Sequence, residues 1–256
     1  GSAQCKSAVM IAALKTQGKT KIRCLPSRNH TELMFQKVLR IPIKIKKENK
    51  YETIEINGLN EFNRFNYKIP GDISSAAFFI VLVLLSKKSS LTIKDVNINP
   101  SRTGIIKILN KMGAKIKFFN KKNYKGEIVA DVFVKSTNNL KPINLNPKLN
   151  SSAIDEFLLI FLLAAKAKGV SYFKKLSELN QKESPRLIWG SKILNKMGIK
   201  TVLTKDTIKI YGNPNLKINK EIVINKFLKD HRIFMTSMVA ALTFGGKWKI
   251  FDKSSI

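Results

Sequence analysis

The sequence predicts an α+β fold in which one structural unit is repeated and the longest helices are buried at the centre. Two observations favour this fold. The segment KILNKMG occurs at residues 107–113 and again at residues 192–198, which indicates an internal repeat. Residues 78–85 and 157–165 are apolar around almost the whole circumference of a helix, so these helices should be covered on all sides.

The first predicted unit has the order helix, strand, helix, strand, strand. Ser2 is expected to cap the first helix and Asn29 the second, with Glu32 in the position that completes a capping box. A polar connector at residues 60–70 follows and ends in a Pro-Gly pair, so we place a domain boundary there. The predicted elements of this unit are helices at 3–17 and 30–39 and strands at 19–25, 41–46 and 51–56.

Two more units with the same order follow, and a fourth unit begins before the sequence ends. Asp72 and Ser101 are expected to cap the helices of the second unit, and Ser152 and Ser184 those of the third. Asp155 would then be the third residue of its helix. The remaining predicted elements are helices at 73–85 and 102–112, helices that start at 153 and 185, a helix at 231–244 capped by Asp230, and strands at 89–96, 114–119, 127–135, 170–176, 199–203, 207–211 and 247–251.

Composition sets limits on size, partners and compartment. A chain of 256 residues is long for a single core, which favours two domains. The net charge of +30 comes almost entirely from dispersed Lys without interleaved aromatic residues, so a biased composition explains it better than nucleic-acid binding. A basic module that binds polyanions is the alternative from another class. Cys5 and Cys24 indicate neither a disulfide framework nor a metal cluster, and the longest apolar run, residues 76–85, is too short to span a bilayer.

Arginine is rare in this sequence, and four of its seven occurrences lie at predicted helix starts. Arg186 and Arg232 oppose the helix dipole there, which favours a functional role over a purely structural one. Backbone N–H groups at helix starts, together with Arg side chains, suit phosphate and carboxylate groups. Asp155 and Glu183 lie in the same regions and could serve acid–base chemistry. Two alternatives stay open, namely that Asp155 only stabilises a helix dipole and that Glu183 is a solvated loop residue.

Seven short motifs occur in the order SAQCKSA, PSRNHTE, PGDISSAAF, PSRTG, IDEF, KESPR and DHRIFM, at residues 2–8, 26–32, 70–78, 100–104, 154–157, 182–186 and 230–235. As an ordered set they resemble the 5-enolpyruvylshikimate-3-phosphate synthase (3-phosphoshikimate 1-carboxyvinyltransferase) family. The resemblance implies two lobes of three βαβαββ units each, an inside-out α/β barrel. Residues 1–70 would close the first lobe and residues 71–256 would form most of the second, so we expect a truncated fragment. UDP-N-acetylglucosamine enolpyruvyl transferase shares the architecture and is the alternative within the same class.

The resemblance also implies a reaction and roles for individual residues. The enolpyruvyl group of phosphoenolpyruvate would move to the 5-hydroxyl of shikimate 3-phosphate, with release of phosphate and without a metal or cofactor. The implied catalytic residues are Asp155 as base and Glu183 as acid. The implied substrate-binding residues are Ser2, Ala3, Gln4 and Ser27 for shikimate 3-phosphate, Asp155 and Lys182 beside the same substrate, and Arg186 and Arg232 for phosphoenolpyruvate.

One residue departs from the family pattern. Pro185, expected at the first position of its helix, stands where the family usually has Asp, so a contact that could orient Arg186 would be missing. Besides its two small-molecule substrates, we expect no specific nucleic-acid partner, no membrane contact, a monomer when complete, and a cytoplasmic location in aromatic amino acid biosynthesis. Because much of the first lobe should be absent, we expect the fragment to be inactive on its own.

Overall fold

The structure, a computed structural model, describes residues 2–59 and 61–255. Asn60, where the predicted connector begins, lies outside the described residues, as do Gly1 and Ile256. The strands, numbered in chain order, are β1 (Lys19–Cys24), β2 (Ile43–Glu48), β3 (Tyr51–Asn57), β4 (Ser90–Asn97), β5 (Ile116–Tyr124), β6 (Glu127–Lys135), β7 (Gly169–Phe173), β8 (Thr201–Leu203), β9 (Ile208–Gly212), β10 (Ile218–Ile224) and β11 (Gly245–Ile250). The helices are α1 (Ala3–Ala13), α2 (His30–Lys37), α3 (Ile73–Leu85), α4 (Gly104–Lys111), α5 (Phe157–Lys166), α6 (Arg186–Lys196) and α7 (His231–Phe244).

Three of the sheets share one topology. Their strand orders are β1-β3-β2, β4-β6-β5 and β7-β9-β8, and all neighbouring strands are antiparallel. In each sheet the last strand of the unit therefore lies between the first and the second. The internal repeat that KILNKMG indicates is thus a repeat of sheet topology.

The apolar helices lie at the centre of the fold, as the sequence predicts. All residues of α5 from Phe157 to Ala165 are buried, and most of α3 is buried as well. The helices α3, α5 and α7 pack against one another, and the sheets lie outside them. The predicted α+β fold with central helices is confirmed.

A parallel strand segment precedes the first helix of each unit after the connector. Gly71 pairs with Val96 of β4, Asn144 pairs with Tyr172 of β7, and β10 runs parallel to β11. The second and third units therefore have the order βαβαββ, which agrees with the order that the resemblance implies. The sequence reasoning missed β10, because the polar residues 219–221 interrupt its apolar positions.

Three predicted caps are formed, and the first helix is shorter than predicted. The side chains of Ser2, Asp72 and Asp230 accept hydrogen bonds from the N–H groups of Cys5, Ser74 and Arg232, respectively. Helix α1 ends at Ala13 rather than near Gln17. Beyond it the chain passes so close to the end of β3 that a Cβ on Gly58 would lie 1.4 Å from the carbonyl oxygen of Thr16.

The start of α5 differs from the prediction. Ser152 does not cap this helix, because it belongs to a 3-10 turn at Ser151–Ala153 and its hydroxyl donates to the backbone of the preceding turn. The helix begins only at Phe157, with Glu156 in the N-cap position. Asp155 is therefore not the third helical residue, and it stands just outside the helix.

The start of α6 is also shifted. Ser184 does not cap this helix, since its hydroxyl donates to the Oδ2 atom of Asp230 at 2.7 Å. Pro185 takes the N-cap position instead of the first helical position, which belongs to Arg186. A distant carboxylate has thus replaced the local backbone N–H as the partner of the serine.

Two predicted caps of the earlier units are wrong for similar reasons. Ser101 bonds to Asn99 in a turn, and Thr103 precedes α4 in the N-cap position. Asn29 makes no side-chain bond to the start of α2. Glu32 forms no capping box, because its carboxylate pairs with the buried Lys6 at 2.5 Å.

Candidate functional site

Asp155 lies at a point where cations from several segments converge. Its Oδ2 atom is 2.6 Å from Arg28 Nη2, and its Oδ1 atom is 3.6 Å from Arg186 Nη1 and 3.7 Å from Lys182 Nζ. Its backbone carbonyl accepts a hydrogen bond of 3.0 Å from Arg232 Nη1. The start of α5, the loop before α2 and the starts of α6 and α7 therefore meet at one residue, Asp155.

The charge of Asp155 is stabilised by its surroundings. Burial acts to raise the pKa of this carboxyl group, but the positive charges of Arg232, Arg28, Lys182 and Arg102 outweigh it and hold the pKa below its ordinary value. Asp155 is therefore ionised at neutral pH. A carboxylate whose proton affinity is lowered in this way is a weak base as long as the cations stay in place.

Arg186 is fixed by Asp230. The guanidinium group is 2% exposed, and its Nε and Nη2 atoms donate to the Asp230 carboxylate at 2.9 and 3.3 Å. Nη2 also bonds to Glu183. Burial acts to raise the pKa of Asp230, but the hydrogen bonds from Arg186 and Ser184 lower it below the ordinary value. Pro185 has no carboxylate to offer Arg186, and Asp230, in the N-cap position of α7, supplies an orienting carboxylate in its place.

Arg232 is held through a buried hydroxyl and a buried carboxyl group. Its Nη2 atom lies 3.2 Å from Ser74 Oγ, and Ser74 donates in turn to Glu156. Glu156 is 3% exposed, and burial raises its pKa, opposed by the Ser74 hydrogen bond and the Arg232 charge. The sequence reasoning missed Ser74 and Glu156. The available signal was a carboxyl group placed directly before the fully apolar segment of α5, where an uncompensated charge would be costly.

Lys182 and Glu183 lie on the more open side of the site. Lys182 Nζ is 3.4 Å from Glu178 Oε1 in addition to its contact with Asp155. The Glu183 side chain is 57% exposed and bonds to Arg186. The structure thus brings five of the sequence-predicted site residues together, namely Asp155, Lys182, Glu183, Arg186 and Arg232.

The predicted residues of the first unit form a second group. Ser2 and Gln4 are exposed at the start of α1, next to Ala3. The Oγ atom of Ser27 is buried and has no hydrogen-bond partner among the described residues. Ser27 directly precedes Arg28, and Arg28 pairs with Asp155. No hydrogen bond or ion pair in the described part of the chain joins Ser2, Ala3 or Gln4 to Asp155.

The starts of α1 and α2 nevertheless lie side by side. The hydroxyl groups of Ser7 and Thr31 are 2.6 Å apart, and the adjacent ion pair between Lys6 and Glu32 is buried. Both helices therefore present their N-termini in the same region, where backbone N–H groups favour an anion.

Within residues 2–59 and 61–255, no group of three or more His, Cys, Asp or Glu side chains is arranged to hold a metal ion. No helix in this described part is long and apolar enough to cross a membrane.

The fold is that of the enolpyruvyl transferases. The enolpyruvyl transferase NikO from Streptomyces tendae superposes with a TM-score of 0.71 over 97% of this chain and 54% of that chain, at 16% identity, which shows the fold alone. The family model described as EPSP synthase (3-phosphoshikimate 1-carboxyvinyltransferase) matches residues 1–256, and the chain belongs to this family. Family membership decides between the two enolpyruvyl transferase families that the sequence left open.

Individual relatives agree with this assignment. A 3-phosphoshikimate 1-carboxyvinyltransferase from Thermoanaerobacter sp. (strain X514) is 41% identical over 251 residues, which are 97% of this chain and 57% of the relative. The relative of the same name from Staphylococcus aureus (strain COL) is 41% identical over 262 residues, covering 100% of this chain and 58% of the relative. The EPSP synthase structure from Acinetobacter baumannii has a TM-score of 0.86 at 34% identity and covers 100% of this chain and 57% of that one. The chain thus spans less than three fifths of the length of these proteins.

Proposed function

We propose that this chain carries part of the active site of a 3-phosphoshikimate 1-carboxyvinyltransferase. The reaction joins the 5-hydroxyl oxygen of shikimate 3-phosphate to C2 of phosphoenolpyruvate while a proton adds to the methylene carbon. Loss of that proton and cleavage of the bond to phosphate then release phosphate and leave the enolpyruvyl ether. The observation that carries the proposal is the convergence of four cations on Asp155 in a member of this family: Arg28, Lys182 and Arg186 face its carboxylate, and Arg232 bonds to its backbone carbonyl.

The arrangement supports separate roles for the two carboxyl groups. Asp155 would accept the proton of the substrate hydroxyl, with Lys182 beside it, and the exposed Glu183 would exchange the proton of the methylene carbon. Arg186 and Arg232 would bind the phosphate and carboxylate of phosphoenolpyruvate, since both groups suit a guanidinium fork. Ser2, Ala3, Gln4 and Ser27 would bind the other phosphorylated substrate at the paired starts of α1 and α2.

The division of the chain between two lobes is part of this proposal. The buried apolar residues form two clusters, one between Met10 and Ile56 and one between Ile73 and Phe244. The polar connector lies between them in the sequence. We therefore assign residues 1–70 to the first lobe and residues 71–256 to the second. A cytoplasmic, monomeric complete protein remains a prediction from the sequence.

The proposal is tested by phosphate release from the complete protein in the presence of both substrates. Asp155→Asn should lower turnover by about 10²-fold or more, as expected for the loss of a positioned base. Glu55→Gln is the matched control, because it neutralises a carboxylate on the first sheet that pairs with the exposed Lys19 and Lys21. Unchanged turnover in Asp155→Asn would remove Asp155 from the reaction, and absence of turnover in the wild-type protein would refute the function. The 256-residue chain by itself is expected to release no phosphate.

A further inference from the structure

The two arginines proposed to bind phosphoenolpyruvate are held in different ways. Arg186 forms a direct ion pair, in which its Nε atom donates to Asp230 Oδ2 at 2.9 Å. Arg232 forms no such pair within the described part of the chain. The nearest carboxyl oxygen to its guanidinium there is Glu156 Oε1, 3.9 Å from Nη1, which is too far for a hydrogen bond. The charge of Arg232 is therefore not committed to a hydrogen-bonded partner of opposite charge.

Uncharged acceptors hold the Arg232 guanidinium instead. Its Nη1 atom donates to the backbone carbonyl of Asp155 at 3.0 Å, and its Nη2 atom donates to Ser74 Oγ at 3.2 Å. The Ser74 hydroxyl donates in turn to Glu156 Oε1. The serine hydroxyl thus stands between the guanidinium group and the carboxyl group.

These three side chains come from the starts of the central helices, so their placement is fixed by the core. Ser74 lies in the first turn of α3, Glu156 is the N-cap residue of α5, and Arg232 lies in the first turn of α7. The three helices pack against one another. Ser74 is fully buried and Glu156 nearly so, whereas the Arg232 side chain is 13% exposed. The guanidinium is therefore the one of these three groups that a ligand can best reach.

We propose that Ser74 is a positioning residue that keeps Arg232 apart from the Glu156 carboxyl group and so leaves the guanidinium charge available to an anionic ligand group. The inference rests on the proposed function and deepens it, because the ligand group would be the phosphate or carboxylate of phosphoenolpyruvate. An anion that binds an arginine already paired with a carboxylate must compete with that carboxylate for charge and donors. Arg186 is such a compensated fork, and Arg232 supplies the uncompensated charge.

The environment of Glu156 suits this separation. Burial raises the pKa of its carboxyl group and favours the neutral form, with a smaller contribution from Asp155, while the Ser74 hydrogen bond and the charges of Arg232 and Arg102 act against it. A neutral carboxyl group leaves the charge of a neighbouring guanidinium intact. Direct contact with Arg232 would favour the carboxylate, because an opposite charge within hydrogen-bond distance stabilises the ionised form. Removal of the serine hydroxyl should therefore turn two separated groups into an ion pair.

The first test measures phosphate release by variants of the complete protein at saturating shikimate 3-phosphate and varied phosphoenolpyruvate. Ser74→Ala should raise the KM for phosphoenolpyruvate by about tenfold or more, as expected when a charge-assisted hydrogen bond is weakened. Ser237→Ala is the matched control, because Ser237 is a fully buried serine of α7 whose hydroxyl donates to the Ile233 carbonyl of its own helix at 2.8 Å. This control should keep the KM of the wild type.

The double variant Ser74→Ala/Glu156→Gln distinguishes the proposal from a loss of packing. A glutamine amide cannot form an ion pair with Arg232, so the double variant should recover most of the affinity that Ser74→Ala loses. A KM that stays as high as in Ser74→Ala, or a wild-type KM in Ser74→Ala itself, would overturn the inference. If Ser74→Ala does not fold, Ser74→Cys takes its place, because a thiol keeps a side chain there and is a weaker donor and acceptor.

The second test needs no enzymatic activity. The Glu156 carboxyl group is observed by carbon-13 NMR in the 256-residue chain at neutral pH, and its signal is assigned with Glu156→Gln. The wild type and Ser237→Ala should show a carboxylic acid, and Ser74→Ala should show a carboxylate. An unchanged protonation state in Ser74→Ala would contradict the proposed separation. If the complete wild-type protein shows no turnover, the proposed function fails, while this measurement still decides whether Ser74 keeps the two groups apart.

Discussion

Replacement of Asp230 by Asn separates the charge of this residue from its shape. The carboxylate is fully buried and receives Arg186 Nε at 2.9 Å and Ser184 Oγ at 2.7 Å, while Oδ1 caps α7 through the Arg232 N–H group at 2.9 Å. Asn caps helices as well as Asp does, so the cap should survive. The buried guanidinium of Arg186, however, loses its charged partner.

The loss of this one ion pair sets the expected decrease in the free energy of unfolding. Removal of one partner of a buried ion pair costs about 3–5 kcal/mol. Glu183 and Asp155 still face Arg186, and Asn still accepts a hydrogen bond, so we expect the lower end, about 3 kcal/mol. One kcal/mol shifts the Tm of a domain of this size by about 2–4 °C, which gives a decrease of about 6–12 °C.

The effect should also depend on pH. The pKa of Asp230 in the folded protein lies below its ordinary value of about 3.9, so its contribution to stability is present above that value. It is lost as the pH falls through the folded pKa. The difference between wild type and Asp230→Asn should therefore be constant from pH 7 to about pH 5 and shrink below about pH 4.

The unfolding of the region around α6 can be followed with Trp189. This residue lies on α6 and packs edge-to-face on Phe227 at 6.1 Å, and a Trp248→Phe background removes the other tryptophan of the chain. Glu221→Gln is the control and should cost less than about 1 kcal/mol, because its pair with Lys249 is exposed. A loss below 1 kcal/mol in Asp230→Asn, or a difference that persists unchanged at low pH, would refute the reasoning.

Further predictions concern other contacts of the site. Glu156→Gln should lower the free energy of unfolding in urea by less than about 1 kcal/mol, because burial raises the pKa of this carboxyl group and so disfavours its charged form. Glu156→Ala should lower it by about 2 kcal/mol or more, because the buried Ser74 hydroxyl loses its hydrogen-bond acceptor. Gly104→Ala should lower the free energy of unfolding by about 1–3 kcal/mol, because the added Cβ would lie 2.2 Å from a serine hydroxyl in the turn that precedes α5. Gly71→Ala is the control and should be tolerated, since the nearest atom to its Cβ would be 3.5 Å away. Arg232→Lys in the complete protein should weaken phosphoenolpyruvate binding by about 2 kcal/mol, because Lys cannot donate two parallel hydrogen bonds as a guanidinium does. Isothermal titration calorimetry measures this affinity, with Arg23→Lys as the control. Equal affinities of the two variants would contradict the assignment of Arg232 to phosphoenolpyruvate.

The fold was largely predictable because its signals are local or periodic. The identical KILNKMG segments indicated the repeat, and the apolar segments that became α3 and α5 indicated the buried centre. Caps at Asp72 and Asp230 were predictable, because an acidic side chain directly before an apolar helix has few competing partners. Serine was a poorer guide: Ser184 has a partner 46 residues away that local reasoning cannot identify.

The candidate site was predictable only in part. The placement of Asp155, Arg186 and Arg232 at helix starts correctly suggested that they would converge. The partner of each could not be predicted, because the choice depends on which helix starts the fold brings together. The Arg28–Asp155 pair and the chain from Arg232 through Ser74 to Glu156 are both of this kind.

The wide sequence separation of the site has a consequence for folding. The Arg28–Asp155 and Ser74–Arg232 contacts join residues 127 and 158 positions apart, so each closes a long loop of chain. Such contacts form late, because the entropy of loop closure must be overcome before they contribute. On the ribosome the site cannot be complete until Arg232 has emerged. A ligand that binds only the completed site would therefore stabilise the folded chain as a whole. At a concentration of 100 times its Kd, it would add about 2.7 kcal/mol to the free energy of unfolding.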